Sequence, residues 1–156
     1  MRAVVISDSH GDSASVNMVL ERHRSADLFI FLGDGERDFF LKENMRTIEN
    51  KRFVAVRGNC DFGSALPDEE TVTLGSKKIY CLHGHTKMVK HGFGLLENTA
   101  ENMKADIAVH GHTHSKRVEY INGIYYMCPG SVRDGSYGII DIDDKTGTVL
   151  CYTASL

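Results

Sequence analysis

Short, unbroken apolar runs, each closed by a small polar loop, recur along this chain. Ala3-Val4-Val5-Ile6 ends in Ser7-Asp8-Ser9-His10-Gly11-Asp12, residues 28–32 break at Gly33-Asp34-Gly35, and residues 53–56 break at Gly58-Asn59-Cys60-Asp61. Runs of four or five apolar residues without alternation predict strands buried on both faces. Between the first two, Val16, Val19, Leu20 and His23 fall at helical spacing behind Asp12 and Ser13, which are suitable N-caps; a second amphipathic stretch covers residues 36–45. Residues 71–74 and 77–82 predict two strands joined at Gly75-Ser76, the second ending at His83-Gly84-His85. Leu95, Leu96, Thr99 and Met103 mark another helix, and residues 107–109 another buried strand, ending at His110-Gly111-His112-Thr113-His114. From there the pattern is β only, over 117–120, 124–127, 137–142 and 149–153, with turns at Asn122-Gly123 and 143–147. The whole predicts one α/β domain, residues 1–156, of two packed sheets flanked by helices.

Composition narrows the function classes. A chain of 156 residues that is 42% hydrophobic and 25% charged has the material for one proper core. With 18 Lys+Arg against 21 Asp+Glu the formal charge is -3, so there is no cationic surplus for non-specific nucleic-acid binding. The longest apolar run, between Asp27 and Gly33, is too short to cross a bilayer, and Met1-Arg2 leads directly into a strand; a soluble, cytoplasmic protein is expected. Cys60, Cys81, Cys128 and Cys151 are scattered without CxxC spacing, which argues against a zinc ribbon or a disulfide framework. Cys81, Cys128 and Cys151 lie within strand runs and are expected to be small buried hydrophobes, whereas Cys60 stands in a loop.

Five of these strands end in loops that combine Gly with Asp, Asn or His. In α/β folds such loops gather at the carboxyl ends of strands, where ligands bind, and Gly allows sharp turns close to a ligand. Together they offer carboxylates, a carboxamide and imidazoles but no thiolate pair, a donor set for divalent ions such as Mn²⁺, Fe²⁺, Co²⁺, Ni²⁺ or Zn²⁺; Mg²⁺ prefers more oxygen. Two such ions about 3.5–4 Å apart can hold a hydroxide between them and clamp a phosphate in line with it, which predicts hydrolysis at phosphorus.

The ordered set Asp8-Ser9-His10, Gly33-Asp34, Gly58-Asn59-Cys60-Asp61, His83-Gly84 and Gly111-His112-Thr113-His114 resembles the calcineurin-like metallophosphoesterase superfamily over nearly the whole chain. The small size, the GNCD loop and Cys128-Pro129-Gly130-Ser131-Val132 are similar to the compact YfcE-type phosphodiesterases of bacteria and archaea. The resemblance implies a four-layer αββα sandwich of two mixed β-sheets. It also implies two divalent metal ions, Mn²⁺ foremost and Ni²⁺, Co²⁺, Fe²⁺ or Zn²⁺ otherwise. Asp8, His10 and His114 would ligate one ion, Asn59, His83 and His112 the other, and Asp34 both. The implied reaction is in-line attack of a metal-bridging hydroxide on a small phosphodiester or nucleotide substrate.

Many family members carry His directly after the Asn, as donor to the leaving group. Cys60 stands there in this chain, a weaker donor without positive charge, read either as a catalytic group or as a packing residue. His85 either faces substrate, as a replacement donor, or merely follows its loop, and His110 is expected to pack behind the site. Lys87, Lys90, His91 and Arg133 are candidate phosphate contacts or plain surface charges. Alternative readings are a phosphomonoesterase or dinucleoside polyphosphate hydrolase, and a metal-binding interaction scaffold resembling the retromer subunit Vps29. A homo-oligomer built on Phe39, Phe40, Phe62 or Phe93 is compatible with the sequence.

Overall fold

The structure, a computed structural model, describes residues 1–156. Strand β1 (Arg2–Ile6) pairs in parallel with β2 (Leu28–Phe31), and β2 with β3 (Arg52–Ala55). On the other side β9 (Ser136–Asp143) and β10 (Thr148–Ser155) continue the sheet antiparallel, giving the order β10-β9-β1-β2-β3. The second sheet, β4-β5-β6-β8-β7, has a parallel centre of β5 (Lys77–Leu82), β6 (Ile107–His110) and β8 (Ile124–Cys128). Its antiparallel edges are β4 (Glu69–Leu74) and β7 (Arg117–Ile121).

The two-residue period of a strand builds the layers. Ala3 and Val5 of β1, Leu28 and Ile30 of β2, and Ile79, Cys81, Ile107 and Val109 of β5 and β6 face inward and form the core between the sheets. The alternate residues Val4, Ile6, Phe29 and Phe31 face helices α1 (Ser13–Arg22), α2 (Glu36–Phe39) and α3 (Lys42–Thr47). Tyr80, Leu82, Ala108 and Tyr126 face α4 (Gly94–Asn102). The outcome is the expected four-layer α/β sandwich. Cys81, Cys128 and Cys151 are buried, as expected, and none of the helices is long and apolar enough to cross a membrane.

Two expectations need correction. The amphipathic stretch 36–45 is not one helix: α2 ends at Phe39 and α3 starts at Lys42, with Leu41 in extended backbone between them. The side-chain amide of Asn44 donates to the Asp38 carbonyl at 2.7 Å, so a side chain takes a carbonyl that a continuous helix would have used, while Phe39 turns in to stack on Phe31. Residues 53–56 are not uniformly buried either. As the outer strand of its sheet, β3 leaves Phe53 44% exposed, and only its carboxyl end is closed over. That end delivers Asn59 to the site.

Candidate metal centre

The loops after β1, β2, β3, β5 and β6 meet at one edge of the sandwich, tied across by backbone hydrogen bonds. Asp8 N–H donates to the Gly33 carbonyl, His10 N–H to that of Asp34, Gly111 N–H to that of His83, each at 3.0 Å, and Val132 N–H to that of Ser7 at 2.9 Å. Five side-chain-bearing residues here hold left-handed backbone: Asp8, His10, Asp34, His112 and His114, with φ of 57°, 44°, 58°, 65° and 56°. Asp and His tolerate this region better than most residues, but five in one site store strain that the cross-loop bonds must offset. Strain gathered this way is characteristic of functional sites.

Two groups of donor atoms result. Asp8, His10 and His114 each place a ligand-type atom within 4.8 Å of the others, and Asp34, His83 and His112 do the same. Within the first, His10 Nε2 and His114 Nε2 face each other at 3.3 Å, and Asp8 Oδ1 lies 3.1 Å from His114 Nε2. Within the second, His83 Nε2 stands 3.4 Å from Asp34 Oδ2 and 3.2 Å from Asn59 Oδ1. Asp34 Oδ2 is also 3.8 Å from His10 Nε2, so this one carboxylate borders both groups.

Asp8 shows that the cluster fits a cation. Its Oδ2 accepts hydrogen bonds from Ser7 Oγ and the His112 N–H, but its Oδ1 is buried and accepts none while facing imidazole nitrogens. A buried carboxylate oxygen without a donor is costly, and a divalent ion satisfies it together with the imidazole lone pairs. His83 is oriented for this, since its Nδ1–H donates to the Leu32 carbonyl at 2.7 Å and turns Nε2 into the site. Burial, then the neighbouring His83, hold His112 down at about 4, leaving the neutral imidazole that ligation requires. Burial alone would raise Asp34, but His83 and the Cys60 N–H keep its carboxylate well below the usual range.

The seven residues expected as ligands, Asp8, His10, Asp34, Asn59, His83, His112 and His114, are thus together. Cys60 is exposed at their edge and forms a third group with His10 and Asp34; burial, then the Asp34 carboxylate, push its thiol up to about 11. His85 stands at the rim, its ring 5.4 Å from that of His83 and 6.2 Å from that of His112. His110 is buried against Phe93, behind the ligand loop. Of the candidate phosphate contacts, Lys87 is tied to Glu69 at 2.8 Å, while Lys90, His91 and Arg133 are exposed.

Sequence reading gave no role to Asp61. Its carboxylate accepts four backbone N–H groups, those of Gly35 and Glu36 on Oδ1 and those of Asp34 and Gly58 on Oδ2, all at 2.8–2.9 Å. It clamps the Asp34 loop to the Asn59 loop. Gly58 is what lets the loops come so close, because a Cβ there would sit 2.0 Å from Asp34 Oδ1. Asp38 acts similarly on the first loop, accepting from Ser9 Oγ and the Gly11 N–H. The sequence signal for Asp61 was its place at the end of the Gly58-Asn59-Cys60-Asp61 loop, where an Asp is also a common turn residue.

Comparison with known proteins agrees with this architecture. Residues 1–145 match the family model of the calcineurin-like phosphoesterase superfamily domain. The probable metallophosphoesterase YsnB of Bacillus subtilis is 33% identical over 159 residues, covering 97% of this chain and 90% of YsnB. A crystal structure of a predicted phosphoesterase from Streptococcus pneumoniae superimposes with a TM-score of 0.79 at 28% identity, covering 99% of this chain and 97% of that one. Vps29 from Entamoeba histolytica, crystallised with Zn²⁺, has the same fold with a TM-score of 0.76 at 23% identity, covering 99% of each chain.

Proposed function

The chain belongs to the calcineurin-like phosphoesterase superfamily, a metal-dependent hydrolase family, and from that premise we propose that it hydrolyses phosphodiesters with two divalent ions bound at the loop cluster. The observation that carries this reading is Asp34, one carboxylate bordering two separate donor groups. Asp8, His10 and His114 would hold one ion, Asn59, His83 and His112 the other, and Asp34 both. The mixture of imidazole and oxygen donors suits Mn²⁺ first, with Ni²⁺, Co²⁺, Fe²⁺ or Zn²⁺ as alternatives. When bound, such a pair supplies Lewis acidity toward phosphoryl oxygens and lowers the pKa of coordinated water.

The chain's own groups bear on which ester is cleaved. Cys60 receives a hydrogen bond from the Asn59 side-chain amide at 3.3 Å, and unlike the imidazolium it replaces, a thiol bears no positive charge. A neutral, weak donor suits a diester monoanion better than a monoester dianion, and it favours leaving groups that need little protonation. His85, shifted down by burial and then by His83, stands at the rim and is the second group placed to hydrogen-bond the departing oxygen. The scaffold alternative shares the fold, but all seven ligand positions here carry a metal-binding side chain.

The test is an assay of metal-stripped protein on bis(p-nitrophenyl) phosphate and p-nitrophenyl phosphate, with Mn²⁺, Ni²⁺, Co²⁺, Zn²⁺ or Mg²⁺ added singly and Asp34→Asn as control. Diester turnover restored by a transition ion and lost in the variant is expected. A monoester preference would replace this reading with a phosphatase. Bound ions with no turnover would replace it with a binding role.

A further inference from the structure

Beside the ligand cluster lies an open cavity of about 500 Å³, lined by His10 and Asp34 together with Arg37, Cys60, Phe62 and Ser64. One feature of its wall is unusual. Phe62 is 89% exposed, more than any other large hydrophobic side chain of the protein; Tyr120 follows at 62%. It belongs to no core cluster and has no aromatic partner. Arg37, which also lines the cavity, is exposed and makes no ion pair.

Phe62 is also held in place. The residue before it is Asp61, fixed by four backbone donors. Phe62 N–H then donates to the Cys60 carbonyl at 3.1 Å, Ser64 N–H to the Asp61 carbonyl at 3.2 Å, and Leu66 N–H to Ser64 Oγ at 3.0 Å, after which Leu66 packs onto the helical layer. An aromatic face displayed to water from a pinned turn, in the wall of a cavity that His10 and Asp34 also line, is a preorganised stacking surface.

Resting on the phosphodiesterase reading above, we propose that this cavity is a subsite for a flat aromatic substituent of the phosphodiester, a nucleobase in particular. Phe62 stacks on the ring and Arg37 supplies the nearby cation for the substrate's negative charge. A phosphoryl group held at the metal centre, whose residues His10 and Asp34 line this cavity, can place one substituent in it, which favours a nucleoside phosphodiester over an alkyl one. Stacking on an exposed aromatic residue tolerates any base, so selectivity among bases is not expected.

The test is equilibrium binding of adenosine 5′-monophosphate and ribose 5-phosphate, which share the phosphate and sugar and differ in the base, to Mn²⁺-loaded protein by isothermal titration. The native protein should favour the nucleotide by about fivefold or more, the low end of what base stacking contributes. Phe62→Ala should abolish the preference by weakening nucleotide binding alone, and Phe62→Trp should keep it. Phe62 supports no core, so both variants should show the native circular dichroism. Equal binding of the two ligands, failure of either to bind, or a preference that survives in Phe62→Ala overturns the subsite. Turnover of bis(p-nitrophenyl) phosphate, followed in the same preparations, separates the two readings. Turnover without base preference removes the subsite alone, whereas a Phe62-dependent preference without turnover keeps the subsite and removes the phosphodiesterase.

Discussion

Replacing Asp61 by Asn tests whether the metal loops are held by one carboxylate. The substitution is nearly isosteric, but it exchanges one oxygen for an amino group that must face two backbone N–H groups: either those of Gly35 and Glu36 or those of Asp34 and Gly58. Two of four charge-assisted bonds are lost, each worth roughly 1.5–3 kcal/mol net when the acceptor is ionised. Because Asp61 is only half-buried and water reaches part of the loop, the lower half of that range applies, giving about 3–4.5 kcal/mol for the pair. Urea unfolding of metal-free protein should show this as a lower midpoint at unchanged slope. Asp12→Asn is the matched control. It removes the same charge from an N-cap whose Oδ1 bond to Ser15 N–H, 3.0 Å long, an Asn oxygen can keep, so it should cost only a few tenths of a kcal/mol. Mn²⁺ affinity should fall in Asp61→Asn and not in Asp12→Asn, since the clamp fixes the backbone of Asp34. A loss below about 0.5 kcal/mol in Asp61→Asn, or equal losses in the two variants, would refute the clamp.

Three further outcomes are expected. Asp8→Asn should stabilise the metal-free protein by about 1–3 kcal/mol, because its amino group can donate toward His114 Nε2 where Oδ1 now lacks a donor, and should abolish the rise in melting temperature on adding Mn²⁺; an unstabilised variant contradicts the orphaned oxygen. Gly58→Ala places a methyl 2.0 Å from Asp34 Oδ1 and should cost about 1–3 kcal/mol together with metal binding, read by calorimetry and titration; native behaviour contradicts the close approach. His23, hydrogen-bonded to Tyr137, is lowered by burial and then by Arg2 and Arg22, so its contribution to stability is complete above its unfolded value of about 6.5 and is lost as the pH falls below it. The drop in unfolding free energy from pH 8 to pH 5 should therefore be smaller in His23→Gln, and equal drops would remove His23 as a contributor.

How much of this was legible in the sequence depends on how far apart the interacting residues lie. The strands of both sheet centres were readable because burial on both faces forces a continuous apolar run, and the ligand loops because each closes such a run with Gly and a polar donor. The edge strand β3 was misjudged because Phe53-Val54 has the letters of a buried strand whichever side of the sheet it occupies. The helix break after Phe39 was invisible because a side chain five positions on, Asn44, satisfies the Asp38 carbonyl. The supports of the site were hidden more deeply still. Nothing local marks Asp8, His10, Asp34, His112 or His114 as left-handed, and what holds them there is contact between loops that are distant in sequence: Asp61 with Gly35, Ser9 with Asp38, Ser131 with Asp8. A chain that kept all seven ligand residues and lost Asp61 and Asp38 would therefore still show every ligand letter. Its loops would lack the bonds that offset their strain, and the two donor groups would separate before any ion could join them. The ligand letters are thus necessary for the metal centre, while its geometry is set by residues that touch no metal.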